Sequence, residues 1–147
     1  MNEETVMQWI QKARNDLKIA IDELDCKDPT TDMVCFHFQQ AAEKILKAFL
    51  IYHGKEYPKT HRLAALLALC SEFDPSFESL MEGGVDGLTQ YATGMRYGES
   101  FRLPSDQETY HAMELAECVA NFVMGKLAKK GFEMPRGDSN PCQRFLF

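Results

Sequence analysis

Four polar side chains recur on one side of a predicted helix in the first third of the chain. They are His37, Gln40, Lys44 and Lys47. At about 100° per residue they share an arc of roughly 80°. Ammonium groups neutralise phosphate, while an amide and an imidazole supply hydrogen bonds. The pattern therefore predicts a phosphate-binding stripe, and the alternative is an ordinary solvated face.

Three large apolar residues intrude on the side of this helix that carries the stripe. They are Phe36, Leu50 and Ile51. A solvated face gains nothing from such residues, so we expect a partly covered surface and assign all three to a dimer interface.

The charge of the chain is uneven. The formal net charge is −6, yet the segment from Ala41 to Arg62 holds five basic residues and two acidic ones. From Ser71 to Met95 there are five acidic residues and no basic one. A dedicated duplex DNA binder needs clustered lysines and arginines, so this class is excluded. The basic segment favours a phosphate-bearing ligand or a small acidic partner.

Common catalytic and metal-binding motifs are absent from the sequence. The run from Gly83 to Gly87 lacks the Gly-Lys-Ser/Thr ending of a P-loop, and no Gly-x-Ser-x-Gly occurs. Glu108-x-x-His111 places a carboxylate and an imidazole on one helical face, as in di-iron bundles, but such a site needs a second copy. We therefore predict neither a metal nor a cofactor.

Apolar residues at three- and four-residue steps predict the helices that carry these side chains. The first helix ends near Asp25, the second runs from Thr31 or Asp32 to about His53, and the third from about His61 to Phe73. A weaker helical stretch lies between Pro75 and the Gly83-Gly84 pair and resumes from Val85 to Tyr97. Ser105 and Glu108 form a predicted capping box at the start of a last helix that reaches Lys130.

Short connections between these helices favour antiparallel neighbours. We predict an all-α, up-and-down bundle of four or five helices in a single domain, residues 1–131, followed by an irregular tail, residues 132–147. The five cysteines form no Cys-x-x-Cys pair, and no signal sequence or apolar run of about 20 residues is present. A cytoplasmic protein with no membrane association is therefore expected.

The run from Phe36 to Leu50 resembles the small prokaryotic HEPN domains, which are similar to the substrate-binding helical domain of nucleotidyltransferases. Its core is Gln40-Ala41-x-Glu43-Lys44-x-x-Lys47-Ala48, and Thr60-His61-x-Leu63 and Arg96-Tyr97 follow. The resemblance extends from the first helix to about Lys130. It implies a bundle, usually dimeric, that binds nucleotides or RNA and is often encoded beside a minimal nucleotidyltransferase as a two-component, toxin-antitoxin-like module.

The resemblance also implies roles for particular residues. Phosphate contacts are expected from Lys44, Lys47 and Arg96. His37 and Gln40 are expected to supply hydrogen bonds, His61 belongs to the same predicted nucleotide- or phosphate-binding set, and Tyr97 is expected to pack on a base or on the core.

Many HEPN proteins are metal-independent ribonucleases that use an Arg followed after four to six residues by a His, and this chain departs from that pattern. The positions at that distance from Arg96 are Phe101, Arg102 and Leu103. Without this spacing the imidazole and the guanidinium are not positioned together at the reacting phosphate. Binding without cleavage is the leading hypothesis. The alternatives are an atypical ribonuclease that uses His37, His61 or His111, and a non-catalytic partner subunit.

Overall fold

A computed structural model describes residues 2–92 and 101–134 of the chain, and that part is helical with no strand. The α-helices are α1 (Glu3–Leu24), α2 (Thr31–Tyr52), α3 (Leu63–Phe73), α4 (Glu78–Glu82) and α5 (Asp106–Lys129). Two 3-10 segments, Pro75–Phe77 and Val85–Tyr91, flank α4. The all-α prediction is confirmed, and the predicted ends of the first two helices lie within a residue or two of the observed ones. The predicted continuation from Ala92 to Tyr97 lies mostly outside the described residues.

Helix α2 is the central element, because it packs against α1, α3, α5 and the Val85–Tyr91 segment. Helix α1 runs antiparallel to α2, whereas α3 runs parallel to α2, since Gln39 meets the His61 carbonyl just before α3 and His53 stacks on Phe73 at its end. Helix α5 also runs parallel to α2. Two contacts define that parallel register: Cys35 Sγ donates to Thr109 Oγ1 near the start of both helices, and Tyr52 Oη donates to the Lys130 carbonyl near their ends. Neighbours on several sides leave α2 with little exposed surface, and even Leu50 is fully buried.

The N-terminus of α3 is capped by residues that come later in the chain. Arg62, at the N-cap position, makes no side-chain cap. Instead, Thr89 Oγ1 accepts a hydrogen bond from the Leu63 N–H at 3.1 Å, and Asp86 Oδ1 accepts one from the Ala64 N–H at 2.9 Å. The Val85–Tyr91 segment therefore satisfies backbone donors that a local cap would otherwise have to satisfy.

The start of α5 agrees with the predicted capping box. Ser105 Oγ accepts a hydrogen bond from the Glu108 N–H at 3.1 Å. The Glu108 carboxylate also accepts hydrogen bonds from Arg102 and from Tyr91 Oη. At the other end Gly131 has a φ of +91°, a conformation that favours glycine and stops the helix. Phe132 then packs back on Tyr52 and is 3% exposed, so the core continues past residue 131.

The helices of residues 2–92 and 101–134 include none that is both long and apolar enough to cross a membrane.

Candidate functional site

A buried carboxylate on α1 organises the first half of the predicted stripe. Asp16 is 7% exposed and faces α2. His37 Nδ1 lies 2.8 Å from its Oδ1, and Lys44 Nζ donates to its Oδ2 at 2.5 Å. The side chains of His37 and Lys44 keep 22% and 24% of their surface. This Asp16 cluster therefore joins α1 to α2 and still reaches solvent.

A second buried carboxylate organises the other half of the stripe. Lys47 Nζ donates to Glu43 Oε2 at 2.9 Å, and His61 Nδ1 lies 2.9 Å from Glu43 Oε1. The lysine side chain is only 8% exposed, whereas the histidine side chain, on the loop after α2, is 60% exposed. This Glu43 cluster repeats the chemistry of the Asp16 cluster, since one carboxylate holds a lysine and a histidine.

The charge state of Glu43 follows from its partners. Burial alone would raise the pKa of the carboxyl group, but hydrogen bonds from Lys47, His61 and Gln39 outweigh burial and hold the pKa below its ordinary value. Glu43 is therefore ionised at neutral pH and balances the buried ammonium group of Lys47.

Two glutamines continue the polar face along α2. Gln40 Nε2 donates to Gln39 Oε1 at 2.6 Å. Gln39 Nε2 in turn donates to Glu43 Oε1 and to the carbonyl oxygen of His61, each at 3.2 Å. We call this face the polar seam, and its members are Asp16, His37, Gln39, Gln40, Glu43, Lys44, Lys47 and His61.

The α2–α3 loop, residues 53–62, is fixed at the end of the seam. Gly54, with a φ of +70°, ends α2 and turns the chain into the loop. The ring of Tyr57 meets Trp9 of α1 edge to face at a centroid distance of 5.1 Å. Lys47 Nζ lies 5.2 Å from the Tyr57 ring centroid and 5.9 Å from that of Trp9, within cation–π range. Both aromatic side chains are half-buried.

Three cations on this loop differ from the lysines of the seam. Lys55, Lys59 and Arg62 are exposed. Within residues 2–92 and 101–134, none of them forms an ion pair with a carboxylate. The uncompensated positive charge of the basic segment therefore lies on the loop, because acids balance both lysines of α2.

The structure thus brings five of the seven predicted ligand-binding residues together. His37, Gln40, Lys44, Lys47 and His61 all belong to the seam. The remaining two, Arg96 and Tyr97, lie outside the described residues. Among the five, Lys47 has little surface to offer a ligand because the core and Glu43 enclose it.

The residues assigned to a dimer interface are placed unequally. Leu50 is fully buried in the core of its own chain, since α2 is surrounded by other helices. It has no surface for a second copy in this structure. Phe36 and Ile51 are half-buried and keep some.

The Glu108-x-x-His111 pair is engaged in other contacts. Glu108 is held by Arg102 and Tyr91, and His111 Nδ1 lies 3.8 Å from Glu114 Oε2. The hydrogen bonds from Arg102, followed by the one from Tyr91, keep the pKa of Glu108 below its ordinary value against the effect of burial. No group of three or more His, Cys, Asp or Glu side chains that could hold a metal occurs in the described ranges.

Sequence reasoning did not identify Asp16, Gln39, Trp9 or Tyr57 as parts of the site. For Asp16 a signal was present, because an acid three residues after Ala13 falls within the apolar stripe of α1. An acid at such a position requires a buried partner. Trp9 and Tyr57 carry no comparable signal, since their contact joins a helix to a loop about fifty residues away.

Comparisons with known proteins agree with this fold. A sequence model of the HEPN domain matches residues 6–130, which confirms the predicted resemblance. TT1696 from Thermus thermophilus is 26% identical and has a TM-score of 0.65 over 86% of this chain and 99% of that one. ST0689, an archaeal HEPN homologue, is 21% identical with a TM-score of 0.60 over 83% and 97%, a likeness of fold alone. No protein of curated function matches the chain significantly.

Proposed function

The chain belongs to the HEPN domain family, and from this membership we propose that it is a nucleotide- or RNA-binding module whose ligand lies on the polar seam. The observation that carries the proposal is the repeated use of a buried carboxylate to hold a lysine and a histidine on one face of α2. Such contacts fix side chains before a ligand arrives, so less entropy is lost on binding.

The accessible members of the seam have distinct roles in this proposal. Lys44 contacts a phosphate, because its side chain is 24% exposed and is tethered at Asp16. His37, Gln40 and His61 donate hydrogen bonds to the ligand. Lys47 acts indirectly by holding Glu43, which in turn orients His61. Arg96 and Tyr97 remain proposed ligands through the family resemblance.

Isothermal titration calorimetry with ATP, GTP and a short RNA tests this proposal. Replacing Lys44→Gln removes the charge without shortening the chain greatly, and we expect binding to weaken about tenfold or more, the value of a hydrogen bond to a charged group. Lys12→Gln on the exposed side of α1 is the control for overall charge. No binding by the wild-type protein, or equal binding by the Lys44→Gln variant, contradicts the proposal.

A second candidate function is metal-independent cleavage of RNA, and one observation favours it. Glu43 holds Nδ1 of His61, and the histidine side chain is 60% exposed. A carboxylate-oriented imidazole is a recurrent general acid–base arrangement. Labelled RNA incubated with the protein and a chelator should then be cut by the wild type and not by His61→Gln. An intact substrate rules out this function.

We also propose that the module works in the cytoplasm as one component of a toxin-antitoxin-like pair, as a homodimer with a minimal nucleotidyltransferase as its partner. Half-buried Phe36 and Ile51 support a contact surface on this side of α2. Light scattering should give the mass of a dimer, and a nucleotidyltransferase encoded beside the chain should copurify with it. A monomer at micromolar concentration contradicts the homodimer, and a neighbouring nucleotidyltransferase that fails to bind contradicts the pairing.

A further inference from the structure

We propose that the α2–α3 loop is a second binding surface, which receives the phosphates and one base of a single-stranded polynucleotide. The proposal rests on the proposed function and extends it, because it assigns a ligand class and a site outside the seam. The residues of this second surface are Lys55, Lys59 and Arg62, together with Tyr57 and Trp9 at the base of the loop. We call this set the loop surface.

The first argument is the location of free charge. Asp16 compensates Lys44, and Glu43 compensates Lys47. The three loop cations are exposed and form no ion pair within the described part of the chain. A polyanion that approaches this acidic protein is therefore attracted most strongly to the loop, because Asp16 and Glu43 already compensate the charges of the seam lysines.

The second argument is that the backbone of the loop is held in place. Gln39 binds the His61 carbonyl, and Glu43 binds the His61 ring. Thr60 Oγ1 accepts a hydrogen bond from the Arg62 N–H at 3.1 Å. Lys59 and Arg62 flank these anchored residues, so the backbone that carries these two cations is held in place.

The third argument is the pair of aromatic rings beside the cations. Tyr57 and Trp9 meet edge to face, and each keeps part of its surface exposed. Stacking of a base on an aromatic ring combined with a cationic track for the backbone is how proteins bind single strands. The eight residues from Lys55 to Arg62 carry three positive charges and the single negative charge of Glu56. A mononucleotide would use only part of this surface.

The surrounding charge favours one strand over two. A duplex carries about twice as many phosphate charges per unit length as one of its strands, so it needs a more extended basic surface. Here the basic surface is one loop on a protein of net charge −6, and the chain from Ser71 to Met95 carries five acids and no base. A single strand can meet the loop without bringing a second backbone against acidic surface.

Fluorescence anisotropy with a labelled oligonucleotide of about ten residues tests the inference at several salt concentrations. We compare wild type with the triple variant Lys55→Gln/Lys59→Gln/Arg62→Gln. The matched control is Lys12→Gln/Lys27→Gln/Lys129→Gln, which removes three exposed positive charges elsewhere. The loop variant should bind at least about tenfold more weakly, and the slope of log affinity against log salt should fall by about two, at roughly 0.7 per lost phosphate contact.

A base analogue that fluoresces when unstacked provides a second readout. Placed in the oligonucleotide, 2-aminopurine should be quenched by the wild-type protein and less by Tyr57→Leu, with circular dichroism confirming that the variant is folded. Equal quenching by folded Tyr57→Leu contradicts the aromatic part of the proposal.

The outcomes separate this inference from the proposed function. Nucleotide binding that depends on Lys44, together with polynucleotide binding that is equal in the wild type and the loop variant, overturns the loop surface alone. Equal losses in the loop variant and the control variant also overturn it, as does tighter binding of a duplex than of either strand. If neither nucleotide nor polynucleotide binds, the proposed function fails as well.

Discussion

The Asp16 cluster and the Glu43 cluster use the same three groups in different surroundings. In the Asp16 cluster the lysine and the histidine both lie on α2 and are about equally exposed, at 24% and 22%. In the Glu43 cluster the lysine is 8% exposed and the histidine 60%. The first cluster joins two helices and leaves its lysine near water. The second encloses its lysine and uses its histidine to fix a loop. In the Glu43 cluster the same carboxylate therefore stabilises the fold through Lys47 and orients an exposed side chain, His61.

Removing the enclosed lysine should have the largest effect. Lys47→Ala leaves Glu43 ionised and buried without its main partner, so we expect the free energy of unfolding to fall by about 3–5 kcal/mol. Urea denaturation measures the loss. Lys18→Ala, which breaks the exposed pair with Asp22, should cost at most about 1 kcal/mol.

The double variant Glu43→Gln/Lys47→Met sharpens this prediction. It removes both buried charges, so much of the stability lost in Lys47→Ala should return. Because methionine keeps most of the packing of the lysine stem, a double variant as unstable as Lys47→Ala would mean that neither the unpaired charge of Glu43 nor that packing accounts for the loss.

Removing the charge of the other carboxylate should have a smaller effect. Asp16→Asn weakens the contacts to His37 and Lys44, but both side chains reach solvent, so we expect a loss of about 1–2 kcal/mol. Asp22→Asn at an exposed position should change stability by no more than about 0.5 kcal/mol in the same urea assay. If Asp16→Asn costs as much as Lys47→Ala, the difference in exposure does not separate the two clusters.

The acid sensitivity of Glu43 gives a third, still smaller effect. Its pKa is lowered in the folded chain, so the unfolded chain takes up a proton first, near the ordinary value of 4.5. Stability from this group is complete above that pH and is lost as pH falls through the folded-state pKa. Unfolding midpoints measured from about pH 6 to pH 3 should therefore fall less in Glu43→Gln than in wild type. Parallel curves would show that Glu43 carries no such linkage.

The smallest expected effect is the pH dependence due to His53. Unlike His37 and His61, His53 forms no ion pair with a carboxylate in the described part of the chain. His53 stacks on Phe73, and its buried Nε2 has no hydrogen-bond partner in the structure as described. Burial, followed by the charge of Lys130, lowers its pKa, although Asp74 acts in the other direction. Stability should therefore fall as pH drops through 6.5, where the unfolded imidazole is protonated first. His53→Phe keeps an aromatic stack, so thermal midpoints from about pH 7.5 to pH 5.5 should depend less on pH than in wild type.

The sequence predicts the helices well where periodicity is long and the signals are local. The apolar steps of α1 and α2 and the Ser105 cap are such cases. The same reasoning predicts a start of α3 near His61, whereas the helix begins at Leu63, because its caps, Asp86 and Thr89, come from another segment. No local pattern reveals a cap supplied from more than twenty residues away.

The seam could be predicted only in part, for a similar reason. Spacing puts His37, Gln40, Lys44 and Lys47 on one face. It does not identify Asp16 as the partner of two of them, because pairing between helices depends on how α1 packs on α2. The assignment of Leu50 to an interface assumes a helix with one open side, whereas α2 is covered by α1, α3 and α5.

The capping of α3 by Asp86 and Thr89 has a consequence for local unfolding of the chain. The amide hydrogens of Leu63 and Ala64 are protected only while Asp86 and Thr89 remain docked. Detachment of the 3-10 segment would expose both amides at once and fray the first turn of α3. The two segments should therefore exchange hydrogen with solvent as one unit, and the chain from residue 63 to residue 91 should behave as a single foldon against the central helix.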